Sequence, residues 1–194
     1  MDIFTPILSA VVLFVSTNID DIIVLTLLFL ASNATGKPKK WQIVTGQYAG
    51  ITVLVIISAL GAVGLTLIPQ EWVRFFGLIP LGLGLRGLLQ AIREHGDEEK
   101  SPSLTAKGLV AVAGITIANG GDNIAVYTPF FHGLDAGGAV AVAVVFTIMV
   151  ALWCAIAAML GKRKRLVEFI ESFEQWLVPA VFILLGLAVL FELI

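Results

Sequence analysis

Two short polar stretches hold the residues of this chain whose types and spacing can do chemistry. The first is Asn18-Ile19-Asp20-Asp21, with two adjacent carboxylates; the second is Asn119-Gly120-Gly121-Asp122-Asn123. Carboxylate and amide oxygens are hard donors of the kind that hold divalent cations. Both stretches fall near the middle of apolar runs of the length that crosses a bilayer, roughly 20 residues at about 1.5 Å each. An Asp at that depth costs on the order of 3 kcal/mol, and an adjacent pair also repels itself. Something has to offset that penalty: a bound cation, a proton or a buried basic partner. A lone buried Asp also serves as a structural hydrogen-bonding group, but two adjacent ones with a third in a matching stretch argue against so plain a role.

The two stretches are copies of one pattern. Thr17, Asp20, Asp21, Ile22, Val24, Thr26 and Phe29 lie on Asn119, Asp122, Asn123, Ile124, Val126, Thr128 and Phe131 at one constant offset of 102 residues. The polar members keep the spacing i, i+3, i+4, which puts them on one helix face. Leu78-Ile79-Pro80 with Gly87-Leu88 resembles Leu177-Val178-Pro179 with Gly186-Leu187 in the same way, while the segments between these blocks show no match.

The elements that position the motifs must be membrane helices. Of 194 residues, 58% are hydrophobic and only 13% charged, with a mean hydropathy of +0.98. That balance excludes an ordinary soluble domain and a nucleic-acid binder. One cysteine, Cys154, excludes an internal disulfide and a Cys-rich metal centre. No cleavable signal peptide is expected, since Met1-Asp2 lacks a basic n-region.

The pattern predicts an all-α membrane protein of six transmembrane helices, over 3–31, 42–67, 73–92, 108–131, 136–160 and 175–194. Residues 1–92 form a first three-helix repeat, 93–107 a cytoplasmic linker and 108–194 a second three-helix repeat. Ten of the twelve basic residues fall in the first, third and fifth connections, among them Lys37, Lys39, Lys40 and the run Lys162 to Arg165. The positive-inside rule then makes those connections cytoplasmic and both termini external. Three spans per half give the halves opposite orientations, an inverted repeat with a site at the midplane, as in secondary transporters.

Several other residues have plainer readings. Gly46-Gln47-Tyr48-Ala49-Gly50 is a small-xxx-small spacing suited to close helix contact, with Gln47, Thr26 and Thr128 expected as packing groups. Gly120-Gly121 favours an unwound stretch with free carbonyls. Arg86 is expected to extend towards the headgroups, with an ion pair to a central Asp as the alternative. Cys154 is either a packing residue or an additional soft ligand. His95 and the acids around it belong to the mixed-charge linker. Glu168, Glu171 and Glu174 are expected on one solvated helix face.

The paired motifs, on six spans in about 200 residues, resemble the cadmium-resistance transporter family of the lysine-exporter superfamily. The resemblance covers essentially the whole chain. It implies an inverted-repeat exporter of toxic divalent cations such as cadmium and zinc in the bacterial inner membrane, while the oxygen-rich donor set also suits manganese, calcium or zinc. It also implies a metal site of Asn18, Asp20, Asp21, Asn119, Asp122 and Asn123. No prosthetic cofactor is expected, and protons are the expected counter-ion because no ATPase motif is present. Partners are then the metal ion, the proton, the lipid bilayer and, in a homo-oligomer, further copies of the chain. The alternative is an exporter of amino acids or other organic cations, for which Arg86 is the sole intramembrane group able to meet a carboxylate. An intramembrane enzyme lacks a His-Glu-x-x-His or Gly-x-Ser-x-Gly motif. A channel is the remaining class, which saturable flux coupled to protons would exclude.

Overall fold

The computed structural model describes residues 4–67, 78–93 and 108–161, together with Phe75 and seven positions between residues 179 and 191. All regular elements among the described residues are helices: α1 (Phe4–Thr17), α2 (Ile19–Thr35), α3 (Lys40–Leu65), α4 (Leu78–Arg93), α5 (Leu109–Asn119), α6 (Gly121–His132) and α7 (Ala136–Leu160). The predicted spans 42–67 and 136–160 are the unbroken helices α3 and α7, each long and apolar enough to cross a membrane. The linker 93–107 beyond its first residue, the basic run 162–165, the acids Glu168, Glu171 and Glu174, and most of span 175–194 lie outside the described residues. Helix α4 has 16 residues, short of a full crossing by itself.

The predicted first and fourth spans are each two helices. The chain bends by 57° between α1 and α2, and by 67° between α5 and α6. If each bent pair is one span, four spans are present among the described residues. The breaks fall at Asn18 and Gly120, equivalent positions of the sequence repeat. At Gly120, the expected unwound stretch is a single non-helical residue, since Gly121 already opens α6. Its φ of −81° suits any residue. What requires glycine there is space: a Cβ would run into the Leu54 side chain on α3.

At Asn18 the cause of the bend is chemical. Ser16, Thr17 and Asn18 each turn a side chain back onto the carbonyl four residues earlier: Val12 at 2.6 Å, Leu13 at 3.0 Å and Phe14 at 2.8 Å. Three such bonds in a row compete with the helix ladder and tilt it. The Asn18 carbonyl accepts the indole N–H of Trp153 on α7 at 2.6 Å. The polar group freed by the break is thus satisfied inside the protein, as lipid surroundings demand.

Packing exchanges partners between the two halves. Helix α3 lies against α5 and α6, whereas α7 lies against α1 and α2. Each long helix therefore covers the broken span of the other half. The α3–α5 contact rests on Gly46 and Gly50. A Cβ on Gly46 would meet Val112 at 2.6 Å, and one on Gly50 would meet Thr116 at 2.6 Å. The small-xxx-small spacing is thus a real seam. Gly61 on α3 approaches Thr128 on α6, and Gly161, after α7, approaches Thr26 and Phe29 on α2. This pair of matching contacts links the segments in which the sequence alone shows no repeat. Within the α1–α2–α7 bundle Phe14 packs on Phe146 and Trp153, and Phe146 reaches Tyr127 of the α3–α5–α6 bundle, at centroid distances of 4.8 to 5.4 Å.

Candidate ion site

The two breaks face each other across the interface between the bundles. Asp20 and Asp122 are each the second residue of the helix that resumes after the break, in α2 and α6. Each uses its Oδ1 to accept the next backbone N–H: Asp21 N–H at 2.9 Å and Asn123 N–H at 2.8 Å. The repeat in sequence is therefore a repeat in hydrogen bonding. A carboxylate in the first turn also meets the positive end of the helix dipole, which lowers the cost of holding it there. Both are partly buried, whereas Asp21 is 4% exposed.

Asp21 and its counterpart Asn123 diverge. Asp21 Oδ2 accepts from Gln47 Nε2 at 2.6 Å, and Gln47 Oε1 accepts the Thr116 hydroxyl at 2.6 Å. Asn123 donates through Nδ2 to Asn18 Oδ1 at 3.4 Å. Asn18 donates through Nδ2 to Thr17 Oγ1 and Tyr127 OH, both at 2.9 Å, and the hydroxyls of Thr17 and Tyr127 pair at 2.8 Å. The Oδ1 of Asn123, on a side chain only 2% exposed, has no hydrogen-bond partner among the described residues. A free acceptor in a buried polar cluster is the kind of group that a cation or a water takes up.

Five of the six predicted ligands, Asn18, Asp20, Asp21, Asp122 and Asn123, thus gather at the breaks. The sixth, Asn119, ends α5 with its residue exposed and its side-chain amide beside Asp21. The three carboxylates lie within electrostatic reach of one another, and among the described residues no basic side chain acts on any of them. They do not form a closed chelate. Among the described residues no three His, Cys, Asp or Glu side chains converge as a metal cluster. The hydrogen bonds explain why: Asp20 and Asp122 are turned onto backbone N–H groups, and Asp21 onto Gln47.

Gln47 corrects the sequence reading. Expected as a packing residue, it is 1% exposed and holds an acid from a second helix. Tyr127 lies outside both motifs, although a buried tyrosine one turn after Asn123 is a readable sign of a polar partner. Arg86 is exposed on α4, in keeping with a reach towards headgroups. Cys154 is buried on α7 and faces the field of Asp21. Thr26 Oγ1 has no partner among the described residues, so packing is the role left to it here.

Removing the Tyr127 hydroxyl tests this network. Tyr127→Phe should cost about 1–3 kcal/mol, because it strips an interaction from two buried groups. The change would appear as a lower melting temperature in detergent. In a cycle with Thr17→Val the two losses should be non-additive.

Buried carboxylates at the breaks of two apolar helix pairs, enclosed by two further apolar helices, define an integral membrane protein with a polar interior site. The model of the cadmium resistance transporter family matches residues 14–193, nearly the whole chain, and the chain belongs to that family. No curated relative and no solved structure matches it. The family is one of transporters, not of enzymes.

Proposed function

We propose that this protein exports divalent metal cations, cadmium foremost with zinc and manganese in the same class, across the bacterial inner membrane. It does so as a secondary transporter exchanging metal for protons. The observation that carries the reading is the meeting of Asp20, Asp21 and Asp122 at two matched helix breaks with no basic side chain beside them among the described residues. Up to three negative charges without a resident counter-charge call for a cation. Asn18, Asn119 and the free Oδ1 of Asn123 add neutral oxygen donors around them. The ion would replace the backbone N–H bonds of Asp20 and Asp122, so that binding and a change at the two breaks are one event. Cys154 is the one thiol near the acids and supplies the softness that favours cadmium.

The topology that goes with this reading has six spans in two inverted repeats, with both termini outside. An apolar cavity of about 360 Å³ lies between α3, α6 and α7, lined by Val55, Ala62, Phe131, His132 and Phe146. It is at the end of α3 remote from Lys39 and Lys40, which in this orientation is the outer side. Phe131 and Phe146 also border Tyr127, so these rings separate the polar site from that outer cavity. The organic-substrate reading loses ground because Arg86 is exposed and, among the described residues, no other cation stands near the acids.

Efflux from proteoliposomes of the purified chain tests the function. Protons and metal compete for the same carboxylates, so cadmium affinity should weaken as pH falls. An imposed inward proton gradient should accelerate metal efflux, with a pH dye reporting the counter-movement. Cadmium flux indifferent to the gradient, or affinity flat between about pH 5 and 8, rejects proton exchange. Lysine counterflow in place of metal counterflow rejects the metal reading. In the same assay Arg86→Leu should leave cadmium flux within about twofold, since a cation site gains nothing from a guanidinium.

A further inference from the structure

Asp21 is held from a different helix, and its holder is itself held from a third. Thr116 on α5 donates its hydroxyl to Gln47 Oε1, which leaves the NH₂ end of the amide to face Asp21. The reverse orientation would set an amide oxygen against a carboxylate oxygen. Gln47 is 1% exposed, Thr116 3% and Asp21 4%, so water does not stand in for any of these bonds. The close seam at Gly46 and Gly50 is what brings Gln47 within 2.6 Å of Thr116, because Gly50 rests directly on the Thr116 side chain. The Gln47–Asp21 bond then crosses from the α3–α5–α6 bundle to the α1–α2–α7 bundle.

We propose that Gln47, oriented by Thr116, is a positioning residue that sets the affinity of the cation site by fixing the Asp21 carboxylate through one committed oxygen. The inference rests on the divalent-cation reading above and extends its site to a third helix that carries no acid. Partners that orient ligating carboxylates typically change metal affinity 10–100-fold when removed.

The test uses the purified full-length chain and cadmium itself. Calorimetric titration of Gln47→Leu should show affinity lower by about 10–100-fold. Transport should show a raised KM with kcat within about twofold, the pattern of lost binding rather than a lost step. Thr116→Val should weaken binding in the same direction, and Thr116→Ser, which keeps the hydroxyl, should restore it. Gln47→Leu/Thr116→Val should bind no more weakly than Gln47→Leu alone, because the two residues form one relay. Unchanged affinity in a folded Gln47→Leu protein, additive losses, or a Thr116→Ser protein as weak as Thr116→Val would each overturn the proposal. If Gln47→Leu does not fold, the Thr116 pair, which adds no volume, decides the matter. A wild-type chain that binds no cadmium removes the proposed function and this inference together. Cadmium binding that disappears in Asp122→Asn but keeps its wild-type affinity in Gln47→Leu removes this inference alone.

Discussion

Asp122→Asn should abolish cadmium transport while leaving the protein folded. Asparagine keeps an Oδ1 in place to accept the Asn123 N–H, so that bond in the first turn of α6 survives the change. What disappears is a charge that the site needs to attract and hold a divalent ion. Loss of a supporting partner alone costs a metal site 10–100-fold, so loss of a ligating carboxylate should reach at least about 100-fold. Without the ion the variant should melt no lower than the wild type, since a buried unpaired charge has been removed. Asp20→Asn should behave alike, because Asp20 occupies the equivalent place on α2 with the equivalent bond to Asp21 N–H. Cadmium that still raises the melting temperature of Asp20→Asn/Asp122→Asn would show that the ion binds elsewhere.

Gly50→Val should damage the fold more than any change to a ligand. A Cβ at residue 50 would stand 2.6 Å from Thr116 Cβ and 3.2 Å from the Ala113 carbonyl oxygen. Neither neighbour is the loose end of a flexible chain, so α3 and α5 must separate. Overpacking of that kind costs about 1–3 kcal/mol for a small excess, and valine adds two further methyl groups. Separation also pulls Gln47 off Thr116, so the site suffers with the seam. The expected results are poor yield, early melting and no cadmium flux. Gly64→Ala is the matched control on the same helix, since nothing among the described residues lies within 4 Å of a Cβ there. It should be neutral or stabilising by up to about 1 kcal/mol, the helix propensity that alanine adds over glycine. Equal damage in both variants would mean that glycine content, not the seam, matters in α3.

Much of this protein is legible in its sequence. Unbroken apolar runs leave membrane helices as the natural home for residues 42–67 and 136–160, because lipid tolerates no unpaired backbone, and α3 and α7 lie there within two residues. The acids announce themselves by their cost, since an Asp pair inside an apolar run demands a partner. The offset between Asp20 and Asp122 then identifies a matching site in the second half. These properties belong to local composition and spacing, which the chain carries before it folds.

Only the tertiary structure decides the rest. Span one reads as one helix in sequence, because Ser16, Thr17 and Asn18 can each sit in a helix singly; their joint turn onto the preceding carbonyls, fixed by Trp153 and Tyr127, creates the bend. Gly120 looks like a freely unwinding residue, yet its role is to admit Leu54 from another helix. Gln47 looks like one polar residue on a packing face, and its meaning depends on Asp21 and Thr116, 26 and 69 residues away. The exchange that sets each long helix over the broken span of the other half is likewise invisible to periodicity, which reports which face of a helix is buried but not what buries it.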